Sequence, residues 1–223
     1  MVIVNGQVGA IAERIRAEYP GHRYVAYHAP RYATLLSLLS KYEPWGDRTT
    51  LDIGRSVLTD LIRTTFGISV DTLGFEPDDR SPAGNHYQFD LNHAQDKGRW
   101  RSDMPTYDLI VMGEVIEHVH TSPRLVLSFV AQLMAPGGVL VVQTPNAAVL
   151  HKRFRLLVGR NPYNLISEDV TSPAHFREYT VRELTDYAQL VGLEVEKSLY
   201  GSYFDYRYKG HSKPSPGGWI QSK

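Results

Sequence analysis

The sequence predicts an α/β fold, with a doubly wound, mostly parallel sheet of seven strands, helices on both faces and an antiparallel hairpin at its C-terminal end. From residue 49 onward, short apolar segments alternate with segments of helical periodicity, and the first strand runs directly into a glycine turn. The 223 residues fit one domain with a small addition. We therefore divide the chain into an N-terminal helical cap (1–46), the α/β domain (47–208) and a flexible tail (209–223).

The cap is predicted to contain two helices. Residues 7–18 are weakly amphipathic, and Pro30 begins a second helix in which four leucines between residues 35 and 39 recur at helical spacing. The segment Pro44-Trp45-Gly46 ends this helix.

The α/β domain is predicted to contain five strands and then a hairpin. The five strands are, in order, TTLDIG, ISVDTLGFE, NHYQFDL, YDLIVMG and GVLVVQTPN. Ser122 and Pro123 mark the start of the helix before the fifth strand, and Thr180 and Glu183 have capping-box spacing at the start of the last helix. Two further strands, LEVEKSLY and SYFDYRY, form the hairpin around a tight glycine turn.

Composition narrows the class of protein. Lys and Arg total 24, as do Asp and Glu, so no overall field favours nucleic acid or an anionic membrane. The absence of cysteine excludes disulfides and cysteine-based zinc sites. The N-terminal residues do not resemble a secretory signal, and no apolar run reaches the roughly 18 residues needed to cross a bilayer. We expect a cytoplasmic protein with no transmembrane segment and no nucleic-acid partner.

The turn after the first strand argues against a dinucleotide. Such a site needs glycines at the first, third and sixth positions of the turn, and here those positions hold Gly54, Ser56 and Thr59. No lysine-bearing phosphate loop is present, which argues against ATP hydrolysis. Asp52 precedes the turn and suits a cofactor that carries positive groups instead of phosphates.

Two more carboxylates follow the next two strands. Glu76 comes about 20 residues after Gly54, where the acidic residue of dinucleotide folds contacts a ribose diol. Asp90 offers an acceptor to an adenine amino group, with apolar surface beside it. Because ligands of parallel sheets lie beyond the carboxyl ends of the strands, these residues predict a nucleoside site there.

Six motifs occur along residues 31–208 in the order LDIG, GFEPD, QFDL, YDLIVMGEVIEHV, LMAPGGVLVVQTPN and HFREYTVREL. In order and spacing they resemble those of the class I S-adenosylmethionine-dependent methyltransferases, in particular the type 11/12/23 group that includes the quinone-biosynthesis O-methyltransferases. The resemblance implies a Rossmann-like fold and S-adenosylmethionine as cofactor, with S-adenosylhomocysteine as product. One motif departs: the family usually has LDLGCGTG, whereas Arg55 and Ser56 follow the first glycine here. Ser56 still offers a backbone N–H to the cofactor, and the bulky Arg55 side chain restricts the space through which the cofactor would reach the turn.

The resemblance also implies a cofactor site that uses the ends of the first four strands and the cap. Its residues would be Arg31, Asp52, Gly54, Ser56, Phe75, Glu76, Pro77, Asp90, Leu91, Gly113 and Glu114. The first strand would hold the methionine part, the second the ribose and the adenine, and the third the adenine edge. Gly113 and Glu114 would line the methyl-transfer site, and Arg31 would pair with the methionine carboxylate.

Methyl transfer needs an aligned nucleophile and, for some acceptors, a group that removes a proton. Glu114, Glu117 and His118 fall on one face of a helical turn. Three interpretations stay open: His118 is a general base, the three residues ligate a divalent cation as in some quinone methyltransferases, or they pair with one another structurally. We expect no resident metal.

Residues 146–179 depart from the regular alternation, and in the family such a segment builds the acceptor pocket. It contains a basic cluster that is either a solvated helical face or a surface for an acidic or phosphorylated acceptor: His151, Lys152, Arg153, Arg155 and Arg160. His175 is a second candidate base, although its segment could simply lead into the cap at Thr180.

The sequence therefore predicts a methyltransferase that acts on a small molecule, with a hydroxyl oxygen as the acceptor atom. The catalytic candidates are His118, His175 and Glu114. The alternatives are N- or C-methylation of a small metabolite, and a non-catalytic member of the fold that binds the cofactor or a partner protein. A nucleic-acid methyltransferase is disfavoured, because Gly113 and Glu114 stand where an Asn-Pro-Pro-aromatic signature would begin.

Overall fold

The computed structural model describes residues 5–42, 45–77, 84–168, 174–201 and 204–208, so the predicted tail (209–223) lies outside the described residues. The chain divides into two compact units. The first unit comprises Met1–Gly46, Ser56–Ile68 and Leu199–Lys223, and the second comprises Asp47–Arg55 and Ser69–Ser198.

The second unit contains the sheet. Its five strands are β1 (Thr50–Ile53), β2 (Asp71–Gly74), β3 (His86–Gln88), β4 (Tyr107–Gly113) and β5 (Met134–Gln143). They lie in the order β3-β2-β1-β4-β5, and every pairing between them is parallel. In register, Ile53 of β1 lies opposite Leu73 of β2 and Met112 of β4. The predicted α/β class and parallel sheet are confirmed.

The predicted seven-stranded sheet and C-terminal hairpin are wrong. Within the described ranges, residues 193–200 form no strand, and Tyr206–Tyr208 forms a short 3₁₀ helix. Alternating apolar residues stabilise a strand only when a neighbour covers one face. Here Val195 is 39% exposed and Tyr200 is 70% exposed, so the alternation of LEVEKSLY buries no continuous face.

β5 contains an irregularity at the predicted APGG turn. Tyr107 of β4 lies opposite Met134, but Leu109 lies opposite Val139, so residues 135–138 bulge out of the pairing. A Cβ atom on Gly138 would lie 2.8 Å from the Tyr107 carbonyl oxygen, so this close approach requires glycine. The turn is therefore inside the strand.

The core of the second unit packs helices against the sheet. The helices of this core are α4 (Pro123–Gln132) and α6 (Val181–Leu190), whereas α5 (Leu150–Leu157) has no buried residue. Phe129 of α4 is fully buried, and its ring stacks on that of Phe89 with centroids 4.6 Å apart. The predicted capping box of α6 is confirmed, because Thr180 and Glu183 bond reciprocally. Ser122 precedes α4 as predicted, but its side chain makes no capping hydrogen bond.

The first unit contains α1 (Asn5–Glu18), α2 (Arg23–Leu39) and α3 (Val57–Phe66). The predicted start of α2 at Pro30 is wrong: the helix begins at Arg23 and Pro30 lies inside it. His22 provides the start signal, since its Nδ1 accepts a hydrogen bond from the Val25 N–H at 3.3 Å. The Arg16 guanidinium bonds to Asp205 at 2.7 Å and fastens the 204–208 segment to α1.

No helix in the described part of the chain combines the length and the apolar character needed to span a membrane.

Candidate functional site

The predicted cofactor residues of the second unit lie at the carboxyl ends of neighbouring strands. Asp52 lies in β1, which ends at Ile53, and Glu76 and Asp90 follow β2 and β3. Gly113 is the last residue of β4. Because β3, β2, β1 and β4 are adjacent and parallel, these ends share one edge of the sheet.

The turn after β1 has a backbone that only glycine adopts easily. Gly54 has a φ of 84°, and its N–H donates to the Leu73 carbonyl at 2.9 Å. A Cβ atom there would lie 2.5 Å from Cγ2 of Val115, whose β-branched side chain cannot turn away. Asp52, two residues earlier, is 1% exposed. The turn therefore places main chain without a side chain at the end of β1, next to the buried carboxylate of Asp52.

We expect Gly54→Ala to destabilise the chain by about 2–5 kcal/mol, since the left-handed backbone costs about 1–2 kcal/mol and the overpacking about 1–3 kcal/mol. Urea unfolding measures this change. Gly67→Ala is the matched control, because Gly67 has a φ of 65° but nothing within 4 Å of an added Cβ atom. Equal losses in the two variants would contradict the packing part of this prediction.

Ser56 is the N-cap of α3, so its polar groups already have partners. Its N–H donates to Thr59 Oγ1 at 3.0 Å, and its hydroxyl accepts from the Leu58 N–H at 3.2 Å. From the sequence, the Ser56 N–H was expected to bind the cofactor. In the structure that amide is part of a capping box, and a ligand would have to displace Thr59.

The residues after β2 form an exposed edge. Phe75 is 52% exposed, and Glu76 and Pro77 are also exposed. The backbone of this segment is fixed, because His86 Nε2 bonds to the Glu76 carbonyl at 2.7 Å and Gln88 donates to the Phe75 carbonyl at 3.0 Å. The Glu76 carboxylate can therefore reach a ligand without any change of the main chain.

Asp90 and Leu91 behave differently from each other. Asp90 caps a 3₁₀ helix (Leu91–Gln95), and its Oδ1 accepts from the Asn92 backbone N–H at 2.9 Å and from the Asn92 amide at 3.0 Å. Leu91 is 6% exposed and belongs to the core. A ligand at this strand end would meet the second oxygen of Asp90 and the backbone of Leu91.

The chain leaves β4 through a strained residue. Glu114 has a φ of 58°, and no other non-glycine residue of the described ranges has a positive φ. Its N–H donates to the Gln143 carbonyl at 2.7 Å, which holds the turn against the end of β5. Such strain costs about 1–3 kcal/mol and is often found at functional sites.

Glu117 is a buried acid directly beyond this turn. It is fully buried, and its Oε2 accepts from Thr144 Oγ1 at 2.9 Å, whereas Oε1 is buried without a hydrogen-bond partner in the described structure. Burial, and next the charge of Glu114, raise the pKa of Glu117 to about 8. At neutral pH this carboxyl group is therefore mostly protonated.

Two histidines meet beside Glu117. The rings of His118 and His175 lie edge to face, with centroids 4.8 Å apart. The Glu117 carbonyl accepts from the Phe176 N–H at 2.8 Å, which ties the His175 segment to the turn after β4. Structure thus brings together both predicted base candidates, which are distant in sequence.

His175 has a carboxylate partner that the sequence analysis missed. Its Nδ1 lies 3.3 Å from Oε1 of Glu178. This hydrogen bond raises the pKa of His175 above its ordinary value. Burial of the ring acts in the opposite direction, and the carboxylates of Glu117, Glu178 and Glu114, where ionised, add to the increase. The H-x-x-E spacing was the available signal, and it is weak because such pairs are common on surfaces. Thr144, the other missed residue, carries no signal in sequence.

One cluster has the composition of a cation site. Glu117, His118 and His175 each offer a donor atom, and these atoms lie within 4.8 Å of one another. These are donor types that divalent transition metals accept. The cation interpretation from sequence used Glu114 in place of His175. That the chain keeps no resident metal stays a prediction.

The remaining predicted residues lie elsewhere. Arg31 belongs to the first unit, is 6% exposed, and its guanidinium lies 4.8 Å from the Tyr32 ring centroid. The basic cluster occupies α5 and the residues after it, and four of its members are exposed: His151, Arg153, Arg155 and Arg160. The fifth, Lys152, is turned inward, with a side chain that is 12% exposed.

Comparison with known proteins bears on these positions. A family model described as a methyltransferase domain matches residues 24–198. A probable S-adenosylmethionine-dependent methyltransferase from Mycolicibacterium smegmatis is 28% identical over 151 residues, which are 66% of this chain and 49% of that protein. The match thus spans about half the length of this curated relative.

The chain is also similar to solved structures. A methyltransferase from Thermotoga maritima, a possible histamine N-methyltransferase, has a TM-score of 0.51 at 18% identity over 84% of this chain and 82% of its own. A methyltransferase from Archaeoglobus fulgidus has a TM-score of 0.47 at 18% identity over 72% of this chain and 68% of its own. At such identity the first of these likenesses shows a shared fold.

Proposed function

Because the chain belongs to the methyltransferase-domain family of class I S-adenosylmethionine-dependent methyltransferases, we propose that it methylates a hydroxyl oxygen of a small molecule. S-adenosylmethionine supplies the methyl group, already activated on its sulfonium. The hydroxyl assignment depends on one observation, the hydrogen bond between His175 and Glu178 at the exit of β4.

The residues at the strand ends fit this cofactor. Asp52 is a buried carboxylate beside a turn that would not accommodate a side chain, which suits the amino acid part of a cationic ligand. Glu76 stands exposed on a fixed backbone, where its two oxygens can accept from a ribose diol. Asp90 keeps one oxygen for an adenine amino group. Gly113 and Glu114 follow on β4, toward the histidines.

For this reaction the protein must align the acceptor with the methyl group and remove the hydroxyl proton. Methyl transfer is an in-line displacement, so the acceptor oxygen must be held opposite the departing sulfur. His175 is the base in this proposal, since the Glu178 carboxylate stabilises the imidazolium that forms when the hydroxyl proton is taken. His118 packs against its ring and Glu114 borders the site, so both shape the acceptor position.

The first test is titration calorimetry with S-adenosylmethionine and S-adenosylhomocysteine. We expect both to bind, and Glu76→Ala to weaken binding by about 10- to 100-fold, since two hydrogen bonds to a charged group are lost. Glu196→Ala removes an exposed carboxylate that is not among the predicted cofactor residues, and this variant should bind like the wild type. No heat with either ligand would overturn the assignment and favour a non-catalytic member of the fold.

The second step identifies the acceptor atom. Catechol, methyl α-glucoside and benzylamine are offered in turn as phenolic, sugar and amine acceptors, and S-adenosylhomocysteine formation is followed. We expect turnover with a hydroxyl acceptor. Turnover with benzylamine alone would contradict the hydroxyl assignment and leave the methyltransferase assignment intact.

A further inference from the structure

Glu178 lies between two side chains from different parts of the second unit. Its Oε1 is 3.3 Å from His175 Nδ1, and its Oε2 accepts a hydrogen bond from Nζ of Lys152 on α5. The side chains of Lys152 and Glu178 are 12% and 10% exposed. Each carboxylate oxygen therefore has one partner, and the group is shielded from solvent.

The carboxylate in this arrangement is ionised. The ammonium group of Lys152 donates to Oε2, and this shielded ion pair favours the charged form of the carboxylate. An ionised carboxylate only accepts hydrogen bonds, so His175 Nδ1 must carry the proton of this contact. In a neutral imidazole the lone pair then lies on Nε2.

Lys152 differs from the basic residues around it. Arg153 and Arg155 on the same helix are exposed, as expected of a solvated face. Lys152 is instead enclosed, and its ammonium lies 5.4 Å from the Tyr163 ring centroid. The Tyr163 hydroxyl in turn donates to the Ala147 carbonyl at 3.0 Å, which fixes the ring.

Other charged and ring groups face His175 without replacing Glu178. Glu114 acts on it through its charge, and Glu117 does so only when it is ionised. The His118 ring meets it edge to face at 4.8 Å between centroids, a contact that restricts the ring but gives it no acceptor. Among the described residues, Glu178 is the side chain that hydrogen-bonds to the His175 ring.

We propose that Glu178, held in place by Lys152, is a positioning residue that keeps His175 in the Nδ1–H tautomer and presents Nε2 as the proton acceptor. The inference rests on the proposed function, because a fixed tautomer matters only if His175 removes the acceptor proton. During transfer the hydroxyl O–H bond breaks toward Nε2, the oxygen–methyl bond forms and the sulfur–methyl bond breaks. The proton stays on His175 until it is released to water.

The tautomer can be read without any activity. We would record ¹⁵N spectra of histidine-labelled protein at alkaline pH, where the imidazole is neutral and its tautomer can be read, assigning His175 by its loss in His175→Gln. We expect the Nδ1–H tautomer to dominate in the wild type and both tautomers to appear in Glu178→Ala. A wild-type His175 in the Nε2–H form would overturn the proposal, whether or not the chain methylates anything.

Activity separates positioning from mere structure. With catechol as acceptor, we expect Glu178→Ala and Lys152→Met to lower kcat by about 10- to 100-fold with little change in the KM for S-adenosylmethionine, whereas Lys152→Arg restores kcat. Arg153→Met is the matched control and should resemble the wild type. Retained kcat in a folded Glu178→Ala variant would overturn the positioning role, even with the expected tautomer.

Discussion

His175→Gln is expected to lower kcat for a hydroxyl acceptor by about 10²–10⁴-fold, the range typical of a lost general base. The amide cannot accept and hold a proton, but it keeps the size and one hydrogen-bonding atom of the ring. Cofactor affinity should not change, because His175 is not among the predicted cofactor residues, and those of the second unit lie at the ends of β1 to β4. Single-turnover kinetics together with calorimetry would separate the two quantities.

His118→Gln provides the comparison within the same ring pair. We expect a smaller loss, because His175 is the proposed base and the Glu178 carboxylate stabilises its imidazolium. An amine acceptor provides a chemical control: a neutral amine brings its own lone pair, so its methylation should survive His175→Gln. If His118→Gln instead carried the larger loss, the roles of the two histidines would have to be exchanged.

Glu117→Gln is expected to remove a stability loss that the wild type shows on going from acid to mildly alkaline pH. The folded pKa of Glu117 is about 8 and the ordinary value is 4.5. Below pH 4.5 both the folded and the unfolded chain are protonated there, and the full stability is present. As pH rises toward 8, the unfolded chain releases its proton first, and stability falls by about 1.4 kcal/mol per pH unit from this group.

The glutamine side chain can still accept the hydrogen bond from Thr144, but it does not ionise between pH 5 and pH 8. In the wild type, urea unfolding should give a free energy of unfolding that is a few kcal/mol lower at pH 8 than at pH 5. In Glu117→Gln this difference should disappear. Glu196→Gln changes an exposed carboxyl group and should leave the wild-type dependence in place. Parallel pH curves for wild type and Glu117→Gln would show that Glu117 is already charged in the fold.

Much of the fold followed from local signals. The five strands of the sheet coincide in place with their predictions, because buried parallel strands are short apolar runs bounded by turn residues. Capping chemistry located α6, because the spacing of Thr180 and Glu183 is that of a capping box. The predicted hairpin was wrong because alternation of apolar residues indicates the two faces of a strand but not whether a neighbouring strand pairs with it. The predicted helix start at Pro30 was wrong because a helix that has already begun after His22 continues past this proline.

The site was predictable only in part. The strand-end carboxylates could be found from sequence, since parallel topology brings such ends to one edge. The meeting of His118 with His175 depends on a backbone bond from Phe176 to Glu117, which no spacing reveals. The inward turn of Lys152 is likewise invisible in a run of basic residues, because only packing distinguishes it from Arg153.

The capping box at Ser56 has a consequence for how a ligand arrives. Its amide is already bonded to the Thr59 hydroxyl, so a ligand that needs this N–H can take it only from molecules in which that bond is open. Binding then proceeds by conformational selection, and the apparent affinity falls in proportion to the open fraction. Thr59→Ala would raise that fraction. It would exchange some helix stability for faster capture of the ligand.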